Sequence, residues 1–222
     1  MNIAQGLAHS KKISGTRQAV ACGETRYTWE ELDQRTDALA RGLASLGVVR
    51  GDRVAVLMLN CHRYLELYYA CARMGAVIVP LNIRLARQEI VFILNDSESK
   101  VLVADKTFAP YATGRDTFPT VESIVYCGNE TPEGMINYDD VVSKGSHMQE
   151  SVDQEMEDDD LAGLFDFPTR HCFQRRIHSG SAALVGGVPL RSTRRGHFCT
   201  NCRSHRRSGY ASWCWPLCPS RS

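Results

Sequence analysis

An α/β fold with a mainly parallel sheet flanked by helices is predicted for residues 1–165 by three observations. Short continuous apolar runs, Val54-Ala55-Val56-Leu57-Met58-Leu59 and Ala76-Val77-Ile78-Val79, have the length and bounding of strands covered on both faces. Other stretches carry apolar residues at helical spacing, as Leu32, Leu39, Leu43 and Leu46 do. The two kinds of stretch alternate at the spacing of right-handed βαβ units, which place their strands side by side and parallel.

Taken in order, the residues from Met1 to Lys12 show no apolar stretch of the secretory kind, so export is not expected. A strand is read over 18–22, with Gly23-Glu24 as its turn. Tyr27-Thr28-Trp29-Glu30-Glu31 then opens a helix. Thr28 and Glu31 stand at capping-box spacing, in which each side chain satisfies a backbone N–H that the first turn leaves free. Gly47 closes this helix as a C-terminal cap. Gly51-Asp52-Arg53 is the turn into a strand over 54–59, and Asn60 is placed to cap a helix over 62–74, which Gly75 ends. A second buried strand over 76–79 stops at Pro80; a helix over 87–94 and strands over 100–104 and 121–126 follow. From about 131 to 160 the pattern weakens, and the acidic run Gln154-Glu155-Met156-Glu157-Asp158-Asp159-Asp160 reads as a solvated linker rather than a metal site. Leu161-Ala162-Gly163-Leu164-Phe165 begins another buried strand.

Beyond Phe165 the composition changes. Residues 1–165 hold 24 acidic and 16 basic residues, five of them Lys, a net charge of −8. The remaining 57 hold ten Arg, no Lys, one acidic residue (Asp166) and five of the nine Cys, a net charge of +9. The whole-chain value of +1 conceals this asymmetry. The front is long enough to bury its own core, and none of its apolar runs approaches the ~20 residues of a membrane span. Its four cysteines, Cys22, Cys61, Cys71 and Cys127, lack the paired spacing of a disulfide framework. A soluble cytoplasmic domain is therefore expected over 1–165, followed over 166–222 by a basic Cys/Arg/Ser-rich tail, disordered or out of frame.

Three segments in this order carry a family resemblance: Tyr27-Thr28-Trp29-Glu30-Glu31-Leu32, Gly51-Asp52-Arg53-Val54-Ala55-Val56, and Ala72-Arg73-Met74-Gly75-Ala76-Val77-Ile78-Val79-Pro80-Leu81-Asn82. With the helix and strand over 84–105 that follow, the chain resembles the N-terminal lobe of the adenylate-forming enzymes. These form the AMP-binding superfamily of acyl-CoA synthetases, luciferases and peptide-synthetase adenylation domains. The stretch 59–81 is most similar to bacterial fatty-acid or aryl-acid CoA ligases. The resemblance implies a two-step reaction: a carboxylate attacks the α-phosphate of Mg-ATP to give an acyl-adenylate and pyrophosphate, and the CoA thiol then displaces AMP. It also implies a Ser/Thr/Gly-rich phosphate loop ending Pro-Lys-Gly directly after a strand such as 161–165. Here the continuation is Asp166-Phe167-Pro168-Thr169-Arg170-His171-Cys172, with neither glycine nor lysine to cradle phosphates. None of the later family motifs follows. No catalytic, cofactor-binding or metal-ligating residue is therefore carried over, and the chain is expected to be a truncated, frame-shifted fragment, inactive by itself. ATP, Mg and CoA belong to the full-length family rather than to this chain, and the small-molecule carboxylic acid likewise.

The tail has a functional reading of its own. Cys199 and Cys202, with Cys214 and Cys218, form two close pairs, with His197 and His205 nearby, and four such thiolates suit a tetrahedral zinc site. Arg203, Arg206, Arg207, Tyr210, Trp213 and Trp215 around them would suit phosphate contact and base stacking. Against this, the tail lacks amphipathic periodicity, its one apolar block is Ala182-Ala183-Leu184-Val185, and its composition is that of an out-of-frame GC-rich gene. The frame-shifted reading is preferred, and nucleic acid is not expected as a partner.

Single residues in the front read as structural. Cys61 and His62 are neighbours at a helix start and do not face each other, so capping and packing outweigh a nucleophile–base pair. Cys71 shares a stripe with Tyr64, Leu67 and Tyr68 and belongs to a core. Asp52-Arg53 reads as a turn salt bridge, Gly75 and Pro80 as a helix stop and a strand end, and Gly145-Ser146-His147-Met148 has no site logic. Asn82 and Arg84 follow a buried strand on the side where α/β sheets present ligand loops. A contact of Arg84 with a CoA phosphate is the functional reading there, and a surface arginine the preferred one.

Overall fold

A computed structural model describes residues 3–153, 160–167 and 173–178, all within the first of two compact units, 1–190. The chain begins with a helix, α1 (Ile3–Ser14), and an antiparallel hairpin of β1 (Gln18–Cys22) and β2 (Thr25–Thr28). Helix α2 (Trp29–Ser45) leads to β3 (Arg53–Leu57), α3 (His62–Met74), β4 (Val77–Pro80), α4 (Arg87–Asp96) and β5 (Val101–Asp105). Two short 3-10 turns precede β6 (Ser123–Cys127), β7 (Ile136–Asn137) and α5 (Tyr138–Ser146). Strands β8 (Leu161–Phe167) and β9 (Phe173–His178) complete a seven-stranded sheet of order β7-β6-β5-β3-β4-β8-β9. Every neighbouring pair in it is parallel except β8–β9. The α/β expectation with a mainly parallel sheet is met.

Strand alternation explains why the apolar runs are continuous. Val54 and Val56 of β3, Val101 and Val103 of β5 and Ile78 of β4 pack under α2, α3 and α5. Ala55, Leu57, Leu102, Val77 and Val79 point the other way, under α4 and the turns after β5. A strand buried on both faces has no position left for a polar residue, and each fully buried aliphatic side chain contributes about 1.5–3 kcal/mol.

Local signals hold where the chemistry is local. Thr28 caps α2, its hydroxyl accepting from the Glu31 N–H while the Glu31 carboxylate accepts from the Thr28 N–H, so the capping box is present. Gly75 ends α3 at φ +71°, a left-handed conformation that costs a glycine little. Cys71 is buried in the core as expected.

Four expectations are corrected. Strand β3 stops at Leu57, and Leu59 is 51% exposed, because the chain turns away at the sheet edge. Asn60 does not cap α3; Cys61 occupies the N-cap, without a side-chain capping bond. Asp52 and Arg53 do not pair with each other. The Asp52 carboxylate takes Lys100 at 3.1 Å and the Val49 N–H at 2.9 Å, while Arg53 reaches Glu98 at 2.8 Å and the Ser97 carbonyl at 2.7 Å. Successive residues entering a strand point to opposite sides, which separates these two. The hairpin strand β2 takes in Tyr27 and Thr28, read as the opening of a helix; the helix itself starts at Trp29, and Thr28 serves both as the strand's last residue and as the helix cap.

The weak stretch contains β7 and α5. Tyr138, Val141, Val142 and Gly145 are buried on one side of α5, a helical spacing present in the sequence. Gly145 and Gly42 let α5 and α2 approach closely: a Cβ on Gly145 would overlap the Ala38 carbonyl oxygen, and one on Gly42 that of Val141. The acidic run at 154–159 lies outside the described residues. Strand β8 runs parallel to β4, with Gly163 opposite Ile78, continues past Phe165 to Phe167, and pairs with β9 along its length from Leu161 to Phe167. No helix among the described residues is long and apolar enough to cross a membrane.

Candidate functional site

All five longer parallel strands end on one edge of the sheet. There, β3 leads into a helix on one face while β4 leads into a helix on the other, the switch in direction beside which α/β sheets present their ligand loops. Asp105, the last residue of β5, organises this edge. One carboxylate oxygen accepts the Leu59 N–H at 3.0 Å, and the other accepts the N–H groups of Thr107 and Phe108 at 2.8 and 3.3 Å. The loops after β3 and β5 are thus tied together by a side chain that the sequence reading passed over. Its only signal was an acid ending an otherwise apolar run. After β4 the Asn82 side-chain oxygen accepts the Arg84 N–H at 3.0 Å, a bond within a single loop. Arg84 itself is exposed, consistent with the surface reading.

Behind the edge, α2, α3, α5 and β2 enclose a polar cluster around Glu66, which is fully buried. The Arg35 guanidinium grips it through two nitrogens at 2.8 and 3.2 Å, and the Tyr138 hydroxyl donates to it at 2.7 Å. Arg63 pairs with Asp139 at 2.9 Å and lies over the Tyr138 ring, as Arg35 lies over the Tyr27 ring. Burial alone would make Arg35 easier to deprotonate, but hydrogen bonding to Glu66 reverses this and holds its pKa above the ordinary value. Burial, reinforced by the nearby Glu66 charge, pushes the Tyr138 phenol well up. The charges are mutually satisfied, so the cluster reads as a clasp joining three helices, not as an acid–base site.

Among the described residues the cysteines offer no nucleophile–base pair. The Cys61 sulfur lies 4.0 Å from that of Met58, while the His62 ring packs edge-on against Tyr27. Burial raises Cys71 to about 12 and raises Cys127 further, which keeps both as thiols at neutral pH. Among the described residues no group of three or more His, Cys, Asp or Glu stands ready to hold a metal. Cys199, Cys202, Cys214 and Cys218 lie outside the described residues.

The position expected for a phosphate loop is the carboxyl end of β8. There the backbone stays extended, with Asp166 opposite Gln174 and Phe167 opposite Phe173 of β9. Backbone groups engaged in a strand pair do not form the concave row of free N–H donors that binds a phosphate.

Residues 7–165 match the family described as AMP-binding enzyme. The chain is 37% identical over 149 residues to the long-chain-fatty-acid–CoA ligase of Thermus thermophilus, covering 65% of this chain and 28% of that one. It is 39% identical over 134 residues to the feruloyl-CoA synthase of an Amycolatopsis species, covering 59% and 27%. Among solved structures, a Rhodopseudomonas palustris protein assigned as a long-chain-fatty-acid CoA ligase superimposes with a TM-score of 0.75 at 26% identity, over 82% of this chain and 45% of that one. The chain thus spans less than a third of the length of these two curated relatives.

Proposed function

Because the chain belongs to the AMP-binding enzyme family, we propose that it is the N-terminal lobe of an ATP-dependent carboxylate–CoA ligase whose complete form acts on a fatty or aryl acid in the cytoplasm. The relatives support this substrate range, since they are named for long-chain fatty acids and for ferulate, an aryl acid. In the complete enzyme ATP, Mg and CoA join the carboxylic acid, and the products are an acyl-CoA, AMP and pyrophosphate.

The chain by itself does not adenylate a carboxylate. One observation carries this reading: where the phosphate loop should open, β8 continues and pairs with β9. The residues that follow, Pro168-Thr169-Arg170-His171-Cys172, supply no glycine and no lysine. The donor set therefore does not fit a triphosphate, and no step through ATP is derived for these residues.

The test is carboxylate-dependent exchange of labelled pyrophosphate into ATP, using purified 222-residue protein with long-chain fatty acids and with ferulate. No exchange above the carboxylate-free control is expected. Exchange that requires the acid would overturn the reading of inactivity, and would leave the family assignment standing.

A further inference from the structure

We propose that His62 makes the seating of the β1–β2 hairpin on α3 sensitive to acid: protonation of its imidazole loosens the hairpin while the seven-stranded sheet stays folded. His62 is the first residue of α3, and its ring meets the Tyr27 ring of β2 edge-on, with centroids 5.7 Å apart and planes at 77°. Its Nδ1 is buried and has no hydrogen-bond partner among the described residues. With the ring neutral, a bare Nδ1 acceptor leaves only one neutral group unsatisfied, a modest cost. An imidazolium carries an N–H on both nitrogens, and burying a charged donor without an acceptor costs far more than burying a neutral one.

The surroundings do not supply the missing counter-charge. The charged groups facing His62 are Arg63 and Glu66 on its own helix, Arg35 on α2 and Asp139 on α5, with Tyr27 on β2. Both carboxylates are already engaged. Glu66 holds Arg35 and the Tyr138 hydroxyl, and Asp139 holds Arg63 at 2.9 Å and lies 3.7 Å from Arg35. A protonated His62 would be a third cation among two carboxylates. It would also sit at the positive end of the α3 dipole, in a first turn with no acidic residue.

Of the units touching His62, the hairpin yields first. Its buried core consists of Leu7, Val20 and Leu32, whereas the sheet is covered by large apolar clusters on both faces. Burial disfavours the charged ring, and the folded-state pKa lies below the ordinary His value. The stabilisation from the neutral ring is therefore complete above that ordinary value of about 6.5, and is lost as pH falls through the window beneath it.

Hydrogen exchange read by mass spectrometry on the full chain tests the proposal, with rates corrected for the intrinsic effect of pH. Between about pH 7 and about pH 5, amides of β1 and β2 should lose protection against exchange relative to those of β3 and β5. His62→Phe keeps the edge-on ring without the titration, and His62→Gln keeps a polar side chain should the first variant fold poorly. Either one should remove the pH response. The proposal is overturned if hairpin and sheet respond alike, or if either folded variant keeps the wild-type response. An NMR titration placing the His62 pKa at or above about 6.5 would also overturn it.

Discussion

On one face of the sheet, α2, α3 and α5 bring a buried carboxylate, its bidentate arginine and a tyrosine hydroxyl into the packing, beside a second set of ion pairs around Asp33 and Arg73. On the other, α4 and the turns after β5 cover the strands with Leu85, Ile90, Ile93, Leu94, Phe108 and Phe118. The two faces bury the same strands and differ in what an error costs. Hydrocarbon accepts any neighbour of suitable shape, so the α4 face tolerates exchange of one apolar side chain for another. The Glu66 clasp accepts only its own partners, since removing one leaves another buried and unpaired. It fixes how three helices sit on one another more than it adds to net stability, and the Gly42–Gly145 contact between α2 and α5 makes that seating tighter still.

This contrast can be sharpened first at Glu66. Glu66→Leu conserves volume but strands the Arg35 guanidinium and the Tyr138 hydroxyl, and should cost about 3–5 kcal/mol in denaturant unfolding. On the other face, Leu94→Ala should cost about 2–5 kcal/mol through the cavity it leaves, while Leu94→Met should cost less than about 1.5 kcal/mol. Equal and small costs for Glu66→Leu and Leu94→Met would erase the distinction between the faces. Gly145→Ala comes next. The added methyl overlaps the Ala38 carbonyl, and a loss of about 1–3 kcal/mol in a thermal or chemical melt is expected; an unchanged midpoint would mean that α5 sits farther from α2.

The smallest effect is on pH dependence. Burial raises both Cys71, on the clasp face, and Tyr64, on the same helix, to about 12. Groups with raised folded-state pKa values stabilise the fold fully below their unfolded values and lose that contribution as pH climbs toward the folded ones. Stability should therefore fall from about pH 9 upward. Cys71→Ala should flatten the stability profile between about pH 9 and pH 12, and an unaltered alkaline slope would remove Cys71 from the account. On the acid side, burial pushes the Asp33 carboxyl up, but hydrogen bonds from Lys11 and Arg73 outweigh it and hold the pKa below the ordinary range. Its contribution is complete above the unfolded carboxylate pKa and is lost as pH falls below it.

Much of the candidate site's setting was legible beforehand. The carboxyl edge follows from alternating strands and helices, and Asn82 and Arg84 fall on it as expected. The roles of Asp105 and Glu66 were not legible. Asp105 acts on a backbone N–H 46 positions away, and Glu66 on groups 31 and 72 positions away, so no window along the chain contains both partners. The misreading of Asp52-Arg53 has the same origin, because adjacency in the chain suggested a pair that strand geometry forbids.

By itself the sequence determined what depends on neighbours along the chain: the capping box at Thr28, the left-handed stop at Gly75, the two-sided burial of most of the apolar runs read over 54–59 and 76–79, and hence the class of fold. Local sterics and hydrophobic period act within a few residues, and are fully written there. Only the tertiary structure decided which charges meet, that residues 25–28 pair with β1 as a strand, that α5 seats on α2 through two glycines, and that β8 runs on into a pair with β9. Those outcomes depend on which distant segments are brought together, and their energies exist only once the sheet has brought them into contact.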